Sequence, residues 1–184
     1  LMAYLDQPLP IGYGQTISQP STVAFMLELL DPKPGQKILD VGTGSGFQAA
    51  LLSQIVSHNE FGQELVPGER GKVLGIEFIP DLAQLARKNL SRYNFIKQKV
   101  LEVHCLNATK GYEEGVPYDA IISAASGGFI PEAWKRQLKV GGKMVLPIDH
   151  SIILLTKKSD DKFETYRFEG FSFVPFVPDA EPDE

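Results

Sequence analysis

The sequence holds a single cysteine, Cys105, among 184 residues. One thiol closes no internal disulfide and builds no structural zinc site, so nothing here asks for an oxidising compartment. Positive charge is in short supply as well. With 18 Lys and Arg against 23 Asp and Glu, the net charge is −5, and the non-specific attraction to phosphate that sustains nucleic-acid binding is missing. No apolar run reaches the roughly 18 residues needed to span a bilayer. The N-terminus also lacks the charged and apolar regions of a secretory signal. These deficits predict a cytoplasmic protein, a monomer that binds neither nucleic acid nor membrane. Leu1 is not an initiator residue, so the chain is expected to be trimmed or a fragment.

What is present is the composition of one globular domain, 43% hydrophobic and 22% charged. Residues 1–20 carry Pro8, Pro10, Pro20, Gly12 and Gly14, which discourage helix and strand alike and predict an ordered lid loop. Ser21 is the expected N-cap of a helix whose apolar stripe ends at Pro32. Strands are expected over 37–42, 72–77, 100–105, 119–125 and 143–148. Helices are expected over 47–56, from a cap at Asp81 to Leu90, and from Pro131 to Leu138. Strand followed by helix is the expected rule through all five strands, and 57–71 reads as a long surface loop. Two further stretches, 152–157 and 163–173, have no helix between them and predict an antiparallel edge pair. The expected class is α/β: a Rossmann-like, doubly wound, mostly parallel sheet of about seven strands. It forms one domain over 1–184, with the lid at 1–20, a β/α core at 21–150, C-terminal strands at 151–177 and an acidic tail at 178–184.

The stretch Asp40-Val41-Gly42-Thr43-Gly44-Ser45-Gly46 puts three glycines where strand must turn into helix and a ligand can approach the backbone. A dinucleotide fingerprint starting at Gly42 needs glycine at 47, where Phe47 stands. A phosphate-binding loop needs Lys and then Ser or Thr after the last glycine, where Phe47 and Gln48 stand. NAD, ATP and GTP are therefore disfavoured. The remaining pattern, with Glu77 ending the second strand, resembles motif one of class I S-adenosylmethionine-dependent methyltransferases. That resemblance implies that Gly42, Thr43, Gly44 and Gly46 cradle the cofactor and that Glu77 accepts hydrogen bonds from its ribose hydroxyls. Asp40 would meet its cationic part. The end of the fourth strand, Ser123 to Phe129, lacks the Asn-Pro-Pro-aromatic or Asp-Pro-Pro-aromatic motif usual for nitrogen acceptors.

The N-terminal stretch from Tyr4 to Pro20, with its Thr16-Ile17-Ser18, resembles the signature of the protein-L-isoaspartate (D-aspartate) O-methyltransferases. The resemblance continues through 39–46, 117–122, 137–142, Leu146-Pro147 and 173–176, and so spans nearly the whole chain. It implies methyl transfer from S-adenosyl-L-methionine to the α-carboxylate of isoaspartyl or D-aspartyl residues in damaged proteins and peptides. S-adenosyl-L-homocysteine is the product, and repair then proceeds through a succinimide. By the same resemblance Ser18 is the catalytic residue that orients the acceptor carboxylate. Ile17, Gln19, Asn107 and Ala108 join the cofactor contacts, while Thr16, Val174 and Pro175 receive the substrate. Two departures stand out: Leu106-Asn107-Ala108 where the family usually has Gly-Asp-Gly, and Gly127-Gly128 after the fourth strand. A carboxylate acceptor is already ionised at neutral pH and needs no general base, which leaves His58, His104 and His150 structural and calls for no metal. Two alternatives remain open: an O-methyltransferase acting on aspartate in a dedicated peptide partner, and a cofactor-binding relative without turnover.

Overall fold

The computed structural model describes residues 5–174. The expected tail at 178–184, Pro175 and residues 1–4 lie outside the described residues. The main sheet has seven strands in the order β5-β4-β3-β6-β7-β8-β9. These are β3 (Lys37–Val41), β4 (Lys72–Glu77), β5 (Leu101–Cys105), β6 (Tyr118–Ser123), β7 (Leu138–Ile148), β8 (Ser151–Ser159) and β9 (Lys162–Glu169). The pairings from β5 across to β7 are parallel, whereas β8 and β9 are antiparallel additions at one edge, as the missing helix between them predicts.

Among the described residues four α-helices accompany the sheet: α1 (Pro20–Leu30), α2 (Phe47–Ser57), α3 (Pro80–Leu90) and α4 (Glu132–Gln137). Strand alternation divides the core into two layers. Ile38 and Val73 pack with Met26, Leu30, Leu52 and Leu90 of the helices on one face. Leu39, Leu74 and Ile76 pack with Tyr118, Trp134 and Met144 on the other. Trp134 is sealed in that second layer, and its indole N–H donates to the carbonyl of Ala108 at 2.6 Å.

Several local expectations are corrected. The N-terminal segment is not an irregular loop: β1 (Leu9–Gly12) and β2 (Gln15–Ile17) form an antiparallel hairpin, a separate two-stranded sheet. Proline is tolerated in so exposed a strand because no neighbour needs its missing donor. Neither Ser21 nor Asp81 caps its helix. Each helix begins one residue earlier on a proline whose fixed φ suits the first turn, with Gln19 and Ile79 in the cap positions. The Ser21 N–H instead donates to Asp6 Oδ1 at 2.9 Å. Pro131 likewise occupies the cap position of α4. The strand-then-helix rule fails after β5, where two short 3-10 turns, Ala108–Lys110 and Glu113–Gly115, make the connection to β6. Finally, 138–142 is not a turn before the fifth strand but the start of β7, whose pairing with β6 shifts register between Tyr118 and Ala120.

Candidate active site

Strand order reverses between β3 and β6, so the loops leaving their carboxyl ends part and leave a cleft, where ligands of open α/β sheets bind. The glycine turn between β3 and α2 forms its floor. Asp40, the last but one residue of β3, shares the face of Ile38 and is therefore sent under α2, where it is completely buried. Gln48 Nε2 donates to its Oδ1 at 2.7 Å and Thr43 Oγ1 to its Oδ2 at 3.1 Å. Burial pushes its carboxyl up to about 6, against the opposing pull of the Gln48 and Thr43 hydrogen bonds, and the neighbouring Glu77 charge adds to the rise. Gly75, paired with Asp40 across the sheet, makes room for this arrangement: a Cβ there would come within 2.7 Å of Thr43 Oγ1.

Two glycines of the turn are dictated by geometry. Gly46 caps α2 at φ 89°, and a Cβ there would meet the Leu90 side chain at 2.9 Å. Gly44 sits at φ 55°, and a Cβ would meet Ile11 Cδ1 of the hairpin at 3.1 Å, so the hairpin rests on the turn. Gly44 also donates its N–H to Glu77 Oε2 at 2.8 Å, while Ile79 N–H donates to Glu77 Oε1 at 2.9 Å. Glu77 is thus fixed at the end of β4 by two backbone donors. Because a carboxylate offers about four acceptor sites, each of its oxygens keeps capacity toward the cleft.

The cleft is walled by Gly42, Gly44 and Glu77, by the apolar Phe78, Ile79, Leu82, Leu106 and Ala108, and by Ala124 and Ala125 after β6. Ile11, Gln15 and Thr16 of the hairpin close one side. An adjoining pocket brings Thr16, Ile17 and Ser18 against Gly42, Thr43, Gly44 and the start of α2. Beyond it a groove runs between Thr16, Ser18, Gln19 and Thr22 on one bank and 170–174 on the other. Val174, shared by groove and cleft, is held by Ser126 N–H donating to its carbonyl at 3.0 Å. Among the described residues the Ser18 hydroxyl has no hydrogen-bond partner.

Of the residues singled out in the sequence, Thr16, Ile17, Ser18, Gly42, Thr43, Gly44, Glu77, Ala108 and Val174 converge on these connected cavities. Three do not form their walls. Asp40 lies beneath the turn, Gly46 at the helix cap, and the Asn107 amide oxygen accepts the Thr109 N–H at 2.9 Å to cap the 3-10 turn. Gln19 faces the groove rather than the cleft. Sequence reasoning missed Ile11, Gln15, Phe78, Ile79, Ala124 and Ala125. Four of these directly follow a strand's carboxyl end, which is the signal that could have found them. The hairpin pair had no local signal, because its contacts are distant in sequence.

The sequence pattern of the family described as Protein-L-isoaspartate(D-aspartate) O-methyltransferase matches residues 1–181. A protein-L-isoaspartate O-methyltransferase of Staphylothermus marinus is 44% identical over 179 residues, covering 95% of this chain and 76% of its own length. The one from Methanopyrus kandleri is 41% identical, covering 95% of this chain and 74% of its own. Among solved structures, a protein-L-isoaspartate O-methyltransferase from Plasmodium falciparum in complex with S-adenosyl-L-homocysteine is similar with a TM-score of 0.80. It shares 27% identity, and the match covers 94% of this chain and 80% of that one. With fold and sequence in agreement over almost its full length, the chain belongs to the protein-L-isoaspartate (D-aspartate) O-methyltransferase family.

Proposed function

We propose that this protein methylates the free α-carboxylate of L-isoaspartyl or D-aspartyl residues in damaged proteins and peptides, using S-adenosyl-L-methionine, and so begins their repair. One observation carries the reading: Thr16 lines the cleft, the adjoining pocket and the groove, and Ser18 lines the pocket and the groove, so ligands in cleft and groove would meet beside these two side chains. The cleft suits an adenosine. Its walls are apolar, the glycines leave the backbone open, and Glu77 turns a fixed carboxylate toward it, ready for two vicinal hydroxyls. The start of α2, which has no side-chain cap, offers backbone donors for a carboxylate beside Thr43 and Ser45. S-adenosyl-L-methionine supplies, when bound, a methyl group on a positively charged sulfur.

The chain's own residues then align and desolvate. Ser18 donates its hydroxyl hydrogen to one oxygen of the acceptor carboxylate and leaves the other to face the methyl group. Thr16 and Ile17 hold that serine in register, and the segment ending at Val174 receives the peptide backbone in extended form. Ile11 and Val174 narrow the opening and keep water from the reacting pair. Asp40 acts one step away: it fixes Thr43 and Gln48, and through them the glycine turn. Asn107 shapes the 3-10 turn that presents Leu106 and Ala108. No proton need be removed, since the acceptor is ionised at neutral pH. The methyl ester makes the carboxyl carbon a better electrophile: the following amide nitrogen attacks it, methanol leaves with the amide proton, and water reopens the resulting succinimide in part as aspartate.

The reading includes a cytoplasmic monomer that binds neither nucleic acid nor membrane, supported by the single cysteine and the net charge of −5. Among the described residues no helix is long and apolar enough to cross a membrane. The test uses methyl-labelled S-adenosyl-L-methionine and two synthetic peptides that differ only in isoaspartate against aspartate. Base-labile labelling confined to the isoaspartyl peptide, and lost in Ser18→Ala, is the expected result. Labelling of neither peptide, with cofactor still bound, would overturn it in favour of a dedicated partner or a relative without turnover.

A further inference from the structure

Tyr13 sits at the tip of the hairpin with φ 56°, a left-handed backbone that strains a bulky residue, between Gly12 and Gly14. A glycine would fit that backbone better, so the reason for tyrosine is to be sought in its side chain. The ring itself is more than half exposed and buries little. Its hydroxyl, however, donates to Asp81 Oδ2, a residue 68 positions away in the first turn of α3. Among the described residues this is the one hydrogen bond that ties residues 9–17 to the rest of the molecule.

The placement of that tie is informative. The hairpin contributes Ile11, Gln15 and Thr16 to the cleft from one side, and α3 with its entry loop contributes Ile79 and Leu82 from the other. The bond from Tyr13 to Asp81 therefore crosses the mouth between them. The hairpin is otherwise a separate sheet, resting on Gly44 through Ile11. So small an element, hydrogen-bonded outside the main sheet and tied to α3 by one side-chain bond, has the build of a strap that can open. Resting on the assignment of the cleft to the cofactor, we propose that Tyr13 and Asp81 form a clasp. It closes the hairpin over the bound cofactor and sets the rate at which S-adenosyl-L-homocysteine leaves. Both are positioning residues: they touch neither reactant, and they act by holding Ile11, Gln15 and Thr16 in place.

The clasp is tested on the full chain loaded with labelled S-adenosyl-L-homocysteine and chased with an excess of unlabelled compound. Tyr13→Phe and Asp81→Ala should each speed release by about five- to tenfold, the range expected for one hydrogen bond. The double variant should release no faster than the quicker single one, because both remove the same bond. Asp81→Asn should stay close to the wild type, since its amide oxygen still accepts from the phenol. Release from Tyr13→Phe within twofold of the wild type, or a double variant whose effect is the product of the singles, would overturn the clasp. A purely structural role would lower the unfolding midpoint and leave release unchanged, which counts against the proposal equally. If the wild-type chain retains no S-adenosyl-L-homocysteine, the functional reading falls and the clasp with it. If it retains the compound and methylates the isoaspartyl peptide while the variants release normally, only the clasp fails.

Discussion

The glycine-turn wall and the hairpin wall face the same cleft, yet their polar groups are satisfied in different ways. At the turn, Asp40 is bonded by Thr43 and Gln48, and Glu77 by the Gly44 and Ile79 amides, in two sets that are buried or nearly so. Just after the hairpin, among the described residues, the Ser18 hydroxyl has no partner and the Gln19 side chain reaches only its neighbour Ser21, at 3.0 Å. The first wall has its polar geometry set before anything binds, while the second keeps polar groups in reserve for what arrives. The division suits a site that must recognise one invariant cofactor and many different peptides.

The sharpest way to break this contrast is to disturb the turn. Gly46→Ala adds a methyl group at left-handed φ against Leu90 and should cost about 3 kcal/mol of stability, read from urea unfolding. A tolerated alanine would mean that the turn is as yielding as the hairpin.

Asp40 gives the next largest effect, as a pH dependence. Its carboxyl is raised from 3.8 to about 6 in the folded protein, so the unfolded chain ionises first. Its contribution to stability is therefore full below pH 3.8 and is lost as pH rises through 6. The loss is on the order of 2–3 kcal/mol. Asp40→Asn should flatten that slope, because the Thr43 hydroxyl can reverse to accept while Gln48 still donates to the remaining oxygen. Urea midpoints on the two sides of that pH range check it, and an unchanged slope would place the titration elsewhere.

If Glu77 holds the ribose as proposed, Glu77→Gln leaves a single acceptor oxygen for two backbone donors and two ribose hydroxyls. Cofactor affinity measured by calorimetry should fall by about tenfold or more, worth about 2 kcal/mol. At the hairpin end, Gln19→Ala should change stability by less than about 0.5 kcal/mol. It should raise KM for the isoaspartyl peptide without weakening the cofactor. A loss of cofactor affinity there would return Gln19 to the cleft.

The same contrast explains what could be read from the sequence. Strands and helices of the core were legible because apolar periodicity and glycine punctuation are local signals: β4 has the expected bounds, and α2 runs one residue beyond them. The glycine turn and Glu77 were legible for the same reason, being contiguous motifs at strand ends. The hairpin was not, because Pro8, Pro10, Gly12 and Gly14 suppress every local preference, and its pairing is made by cross-strand bonds that no propensity encodes. Asp40 is a subtler case. The motif suggested contact with the cofactor, whereas the period-two alternation from Ile38 already directed that side chain to the face that α2 covers. The roles of Phe78, Ala124 and Val174 emerge only when β3, β4, β6 and the C-terminal segment are brought together in space.

Trp134, the only tryptophan of the 184 residues, has an optical consequence. Its ring is 2% exposed and bonded to the carbonyl of Ala108, the residue that lines the cleft from the 3-10 turn after β5. The intrinsic tryptophan emission of the protein therefore comes from one dry place, a single hydrogen bond away from the cleft wall at Ala108, and should lie toward the blue end of the tryptophan range. Any ligand that shifts that turn would change the emission of the whole molecule without a label being attached.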